Sequence, residues 1–145
     1  MTSACDAAGA ERLTRNERAV LAALRQTPAA RSAYDLLDEL RDVGLKAPAQ
    51  VYRALQKLIR LGLAHRIESV NGFVACAHPQ DDCFAAFAIC TECGAVAEIT
   101  DETLVEPLSR WARRSAFALD QVTLEARGRC RACATATRRL EETDP

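Results

Sequence analysis

The chain has 145 residues and a formal net charge of −1, and 49% of its residues are hydrophobic. This hydrophobic share excludes wholesale disorder, and the length allows one domain or two small ones. The low total charge conceals two unlike halves, because residues 1–75 carry 11 Lys and Arg against 8 Asp and Glu, whereas residues 76–145 carry 8 against 12. The first half is therefore the better candidate for contact with a polyanion.

Cysteine usage and the opening segment point to a reducing compartment. The chain has seven cysteines, and its short polar opening contains no charged-then-apolar leader. No apolar run is long enough to span a membrane. We expect a cytoplasmic protein with reduced thiols, in which paired cysteines bind metal more often than they form structural disulfides.

The first 12 residues have no hydrophobic period, and we expect a frayed terminus in which Cys5 is a bystander. The first helix is predicted after Thr14, because Glu17 follows it at the spacing of a capping box. Apolar residues then recur at helical spacing, and the helix should end before Pro28.

Two further helices are predicted by their start and stop signals. The second follows Ser32, which repeats the capping spacing with Asp35, and it ends at Gly44, a residue suited to a left-handed C-terminal cap. The third begins at 47–48, with Pro48 in its first turn, and runs to Leu61.

The third helix has one apolar face and one face without any carboxylate. Its inward stripe is predicted to consist of Val51, Ala54, Leu55, Leu58 and Ile59. Its outward face would then consist of Ala49, Gln50, Tyr52, Arg53, Gln56, Lys57 and Arg60. Taken alone, such a face is also compatible with an ordinary solvated surface.

The segment after the third helix favours a role in DNA binding. Residues 63–68 and 73–76 flank Asn71-Gly72, a strong short-range signal for a β-hairpin. Three short helices and then a hairpin form the winged variant of the helix-turn-helix, in which the third helix enters the major groove. In that arrangement Arg53 suits guanine, Gln50 and Gln56 suit base edges, and Lys57 and Arg60 suit phosphates.

The second half is predicted to be a small α/β module. Strands are expected at 84–89 and 95–99, and a helix near Glu106 with an apolar stripe at Leu104, Leu108, Trp111 and Ala112. An alternating segment at 119–127 predicts a half-buried strand, and the charged, aperiodic segment 135–145 is expected to be disordered. The overall class is α+β, with domains at 1–75 and 85–134 joined by a hinge at 76–84.

Two C-x-x-C pairs, Cys90/Cys93 and Cys130/Cys133, lie in this second half. Two such pairs supply the four sulfurs of a closed tetrahedral zinc site, which would stabilise a module too small to be held together by apolar burial alone. Iron bound by the same sulfurs and redox-active dithiols are the alternatives. The other candidate ligands near the junction are His65, Cys76, His78, Cys83 and Glu98, and each of them taken singly has an ordinary structural explanation.

Together these motifs resemble the ferric-uptake-regulator family, and within it the zinc-uptake-regulator branch. The resemblance covers roughly residues 12–134 and includes the opening-helix motif at 13–16, the recognition-helix motif at 48–58, the wing and its continuation at 65–79, and both cysteine pairs with their neighbours. It implies a homodimeric repressor with two Zn²⁺ ions per subunit, which binds palindromic operator DNA of zinc-uptake genes.

The resemblance also implies particular roles for particular residues. The four C-x-x-C cysteines fall on the family's structural zinc site, and Tyr52 and Arg53 fall on its DNA-reading pair. The regulatory zinc site corresponds to His65, Cys76 and Glu98, together with position 83, where the family usually has a histidine and this chain has Cys83. Thiolate is a competent zinc ligand, so we expect Cys83 to complete the site, with His78 as the alternative.

Three other functions remain to be tested. An iron- or peroxide-responsive member of the same family is the nearest. A zinc enzyme with Glu98 as general base is disfavoured, because the chain has no H-E-x-x-H motif and the ligand set is closed. A redox switch at Cys76 and Cys83 is the third.

Overall fold

The structure is a computed structural model, and it describes residues 13–76 and 84–141. Cys5, His78 and Cys83, for which the sequence supports predictions, lie outside these ranges, as do residues 142–145. The chain forms two compact units, Met1–Gln80 and Asp81–Pro145, and the division falls within the segment predicted as a hinge. None of the helices in the described ranges is long and apolar enough to cross a membrane.

The first unit contains three helices, α1 (Arg15–Arg25), α2 (Ala33–Leu40) and α3 (Pro48–Arg60). Both predicted capping boxes form: the side chains of Thr14 and Ser32 accept hydrogen bonds from the N–H groups of Glu17 and Asp35, respectively. A 3₁₀ helix, Arg41–Val43, extends α2, and Gly44 comes next with φ 108°, in the left-handed region that glycine favours. The helix boundaries predicted from local signals are therefore confirmed to within a few residues.

The helices pack around one hydrophobic core, and a β-hairpin closes the unit. Strands β1 (Ala64–Ile67) and β2 (Gly72–Ala75) pair antiparallel, with His65 opposite Val74. Asn71 turns the chain with φ 47°, as the Asn-Gly signal predicted. The core buries residues from all these elements, among them Val20, Leu24, Leu36, Val51, Leu55, Leu58 and Phe73.

One residue of the predicted apolar stripe of α3 faces outward. Val51, Ala54, Leu55 and Leu58 are buried, but Ile59 is 37% exposed. Ile59 lies about 100° further around the helix than Leu58, beyond the strip that faces the core. The apolar strip of α3 is therefore narrower than the sequence indicated.

The second unit is built on a three-stranded sheet with the order β4-β3-β5. Strand β3 (Phe84–Cys90) pairs antiparallel with β4 (Val96–Glu98) and parallel with β5 (Val122–Gly128). Helix α4 (Glu106–Arg114) forms the crossover, and helix α5 (Arg131–Glu141) comes after β5. The hydrophobic residues buried in the described part of this unit are Ala86, Phe87, Ile89, Cys90 and Ala112.

Two predictions for this unit were wrong in detail. Residues 135–141 are not disordered, because α5 continues through them. Alanines and arginines are good helix formers, and the Thr135 hydroxyl donates a hydrogen bond to the Arg131 carbonyl. Strand β5 lacks the expected burial pattern, since Leu124 is 38% exposed. Strand β5 is an edge strand of this sheet, so its side chains would be buried only if another element covered them.

Candidate metal centres and nucleic-acid interface

The four cysteines of the C-x-x-C pairs lie together because of the sheet topology. Strands β3 and β5 run parallel, and their register places Cys90 opposite Gly128. Each pair begins at or just after the carboxyl end of its strand. Because the two strands are parallel, both pairs meet at the same end of the sheet. The segment that follows Cys90 is also held to the end of β5 by a hydrogen bond, 2.8 Å long, from the Thr91 N–H to the Gly128 carbonyl.

The sulfur geometry fits a tetrahedral metal ion. All four Sγ atoms lie within 4.8 Å of one another, and those of Cys93 and Cys130 are 3.8 Å apart. With zinc–sulfur bonds near 2.3 Å, the edge of a sulfur tetrahedron is about 3.8 Å long. The arrangement therefore has the donor type, number and spacing of a structural zinc site.

Backbone amides prepare one of these sulfurs to be a thiolate. The N–H groups of Cys130 and Cys93 donate to the Cys90 Sγ, at 3.3 and 3.5 Å. These bonds, that from Cys130 most strongly, lower the pKa of Cys90 to about 6. A hydrogen bond with the Cys130 side chain raises the pKa of Cys133 to about 12. Four adjacent sulfurs cannot all ionise unless a cation neutralises them, and a bound metal ion would supply that charge.

A histidine and a cysteine, both residue types that can bind zinc, lie close together on the hairpin of the first unit. Since His65 is opposite Val74, strand alternation places His65 and Cys76 on the same face as diagonal neighbours. Their ligand atoms lie within 4.8 Å of each other, and both side chains are half-buried. The backbone of Cys76 is fixed by a hydrogen bond of 2.9 Å from its N–H to the Leu63 carbonyl.

The remaining predicted ligands lie in the second unit or outside the described residues. Glu98 is half-buried at the end of β4 in the second unit. Cys83 and its alternative His78 lie outside the described residues. Within the described ranges, the structure thus forms two separate groups of predicted ligands: the four cysteines of the second unit, and the His65–Cys76 pair of the first.

The outward face of α3 carries the predicted DNA-binding residues. Tyr52, Arg53, Gln56 and Arg60 are exposed. Two other members of the set make contacts within the protein. The amide oxygen of Gln50 accepts hydrogen bonds from the N–H groups of Lys46 and Ala47, at 2.8 and 3.1 Å, and so caps its own helix.

Lys57 is the other member with a contact inside the unit. Its ammonium group lies 3.4 Å from a carboxylate oxygen of Glu17 on α1, and its side chain is only 35% exposed. Sequence reasoning assigned Glu17 to the helix cap alone, because a pairing between two helices has no local sequence signal.

Comparison with known proteins identifies the family of this chain. The sequence model of the Ferric uptake regulator family matches residues 9–127. The chain belongs to the ferric uptake regulator family.

Members of this family with zinc in their names are among the similar proteins. The zinc uptake regulation protein of Escherichia coli (strain K12) is 40% identical over 124 residues, which cover 84% of this chain and 72% of that protein. The same identity and coverage hold for the zinc uptake regulation protein of Shigella flexneri. The family is one of transcription regulators.

Solved structures show the same fold. A zinc uptake regulator complexed with zinc and DNA matches with a TM-score of 0.83 and 34% identity, over 94% of this chain and 99% of that one. The holo form of XcZur matches with a TM-score of 0.77 and 38% identity, over 86% of this chain and 87% of that one. The α+β architecture, with a winged helix-turn-helix and a four-cysteine cluster in the C-terminal unit, is confirmed.

Proposed function

We propose that this chain is a zinc-responsive transcriptional repressor that binds palindromic operator DNA as a zinc-loaded homodimer and represses zinc-uptake genes. The observation that carries the proposal is the combination, in one small unit, of an exposed cationic recognition helix and a hairpin bearing an imidazole and a thiol. A similar regulator solved with zinc and DNA supports it.

The recognition helix supplies the DNA-reading groups. The planar guanidinium of Arg53 suits the two acceptors of guanine, and the amide of Gln56 suits base edges. Tyr52, 40% exposed beside Arg53, adds a hydroxyl and an aromatic face, and Arg60 suits a phosphate. Gln50 and Lys57 belong to the same face, but their contacts within the unit limit what they can offer to DNA.

The cysteine tetrad would hold the structural zinc ion. Few hydrophobic side chains are buried in the described part of the second unit, so the ligand bonds would add the stability that its apolar core lacks. We assign Cys90, Cys93, Cys130 and Cys133 to this ion.

The regulatory ion would be held by His65 and Cys76 of the hairpin together with Cys83 and Glu98 of the second unit. Two thiolates, one imidazole and one carboxylate form a set that zinc prefers to iron or manganese. When bound, zinc would supply a Lewis-acidic centre that joins these four side chains. Because they come from two units, holding them together would fix the direction of the recognition helix.

Dimerisation explains the exposed apolar surface of the second unit. Leu104, Leu108 and Trp111 are 38–46% exposed, and Leu124 lies on the edge strand β5. A second copy would cover these side chains and give two recognition helices, which could meet major grooves one helical turn apart. The switch would be between a conformation that binds DNA and one that does not. For it to be nearly complete, zinc must bind the DNA-binding conformation more tightly, by about 5 kcal/mol.

The decisive experiment is a zinc titration of DNA binding, measured by fluorescence anisotropy on a duplex selected from a random library by the zinc-loaded protein. Wild type and His78→Ala should gain affinity as free zinc rises, whereas His65→Ala and Cys83→Ser should lose this response. The opposite result for Cys83→Ser and His78→Ala would transfer the ligand role to His78.

The titration also separates the metals. Activation by ferrous iron and not by zinc would replace the proposed function with that of an iron-responsive regulator. Loss of DNA binding and metal on mild peroxide treatment, reversed by a thiol reductant, would favour the redox switch instead.

A further inference from the structure

The carboxylate of Glu17 connects the start of α1 to the recognition helix. Its Oε2 atom accepts a hydrogen bond of 2.8 Å from the Thr14 N–H and lies 3.4 Å from the Lys57 Nζ. The Thr14 hydroxyl in turn accepts from the Glu17 N–H at 3.3 Å. The capping box thus fixes the position of the carboxylate, and Lys57 lies close enough to pair with it.

The Glu17 side chain is only 11% exposed, and this burial strengthens its hold on Lys57. A carboxylate with so little access to water loses much of its hydration and depends on the groups that face it. If Lys57 turned toward a phosphate, it would leave Glu17 without its cation. The gain from an exposed phosphate contact would have to exceed that loss.

The charge pattern of α3 favours the same arrangement. Lys57 lies four residues after Arg53 and three residues before Arg60, so both cations are its neighbours on the helix surface. Like charges at these spacings repel each other, and the Glu17 carboxylate offsets this repulsion.

The groove beside the pair borders the DNA-reading residues. A groove of about 180 Å³ is lined by Thr14, Asn16 and Glu17 of the α1 start and by Gln50, Arg53 and Ala54 of α3. The Glu17–Lys57 pair therefore lies at the border of the DNA-reading face.

We propose that Glu17 is a positioning residue for DNA recognition, which holds Lys57 against α1 as a structural cation, so that Lys57 does not contact phosphate. This inference rests on the proposed DNA-binding function. It assigns phosphate contact to other cations of the face, such as Arg60.

The test is the salt dependence of binding to a random-sequence duplex by the full-length, zinc-loaded protein. Each neutralised phosphate contributes about 0.9 to the slope of log affinity against log salt. Lys57→Gln should leave the wild-type slope unchanged, whereas Arg60→Gln, the matched loss of a cation one turn away, should flatten it by about one per protomer. Glu17→Gln should release Lys57 and steepen the slope, and the double variant Glu17→Gln/Lys57→Gln should return it to the wild-type value.

Two results would overturn the inference. One is a slope that Lys57→Gln flattens as much as Arg60→Gln does, because Lys57 would then contact phosphate. The other is an unchanged slope for Glu17→Gln, because Glu17 would then not restrain Lys57.

Thermal unfolding of the same variants distinguishes this inference from the proposed function. The midpoint should fall for Glu17→Gln and for Lys57→Gln, with less than additive loss in the double variant. A wild-type protein that binds no duplex at any zinc level would refute the proposed function, while additive midpoints would refute the ion pair itself.

Discussion

Arg31 and Phe73 exchange two backbone hydrogen bonds, each 2.9 Å long, between the segment that connects α1 to α2 and strand β2 of the wing. They form an isolated antiparallel bridge, so Phe73 pairs with Arg66 of β1 on one side and with Arg31 on the other. Arg31 is also ion-paired with Glu39 of α2. The wing that carries His65 and Cys76 is thereby attached to the helical part of its own unit.

Gly72→Ala should weaken this attachment. A Cβ atom at position 72 would lie 3.0 Å from the Ala30 Cβ and 3.4 Å from the Arg31 nitrogen, so the connecting segment would have to move. We expect a loss of about 1 kcal/mol in the free energy of unfolding. Gly128→Ala is the control in denaturant titrations, since an added Cβ there meets nothing within 4 Å. Equal stability of the two variants would contradict this packing argument.

Ala116→Gly should stabilise the second unit. Helix α4 ends at Arg114, and Ala116, two residues later, has φ 50°, a left-handed conformation in which the Cβ atom is strained. Relief of that strain should raise the free energy of unfolding by about 1 kcal/mol. The same substitution at Ala88, an exposed position of β3, should lower it by about 0.5 kcal/mol. A lowered thermal midpoint for Ala116→Gly would show that glycine's greater freedom in the unfolded chain outweighs the strain.

The metal-free protein should show one unusually acidic thiol. Hydrogen bonds from the backbone N–H groups of Cys130 and Cys93 lower the pKa of Cys90 to about 6. A lowered pKa in the folded state contributes stability above the pKa of the unfolded thiol, about 8.5, and that contribution is lost as the pH falls through 6. Thiolate absorbance after chelation should therefore rise in a step near pH 6 that Cys90→Ser removes. A step that persists in Cys90→Ser would belong to another thiol.

Arg53→Lys should reduce both affinity and selectivity for DNA. Lysine keeps the charge but lacks the planar fork that meets both acceptors of guanine. We expect about a tenfold to hundredfold weaker operator binding, with little change on random duplex. Competition binding between the two duplexes measures the ratio, and Arg60→Lys is the matched control. An unchanged ratio for Arg53→Lys would exclude Arg53 from base reading.

Local signals were sufficient for most of the elements. The capping boxes at Thr14 and Ser32 and the turn at Asn71-Gly72 depend on residues three or fewer positions apart, and all three form as predicted. The Arg31–Phe73 bridge and the Glu17–Lys57 ion pair join residues about 40 positions apart, and no periodicity or spacing predicts such partners. The continuation of α5 through 135–141 was missed because an alanine- and arginine-rich segment has no apolar stripe.

The sequence by itself determined the chemistry: two C-x-x-C pairs, a histidine and a cysteine in the wing, and a helix face without carboxylates. Only the tertiary structure decided which of these groups meet. The two cysteine pairs are far apart in the chain, and the parallel register of β3 and β5 brings them to the same end of the sheet. The pairing of β1 with β2 brings His65 close to Cys76. Ligand type is a property of single residues, whereas a site requires contacts that only strand pairing and packing create.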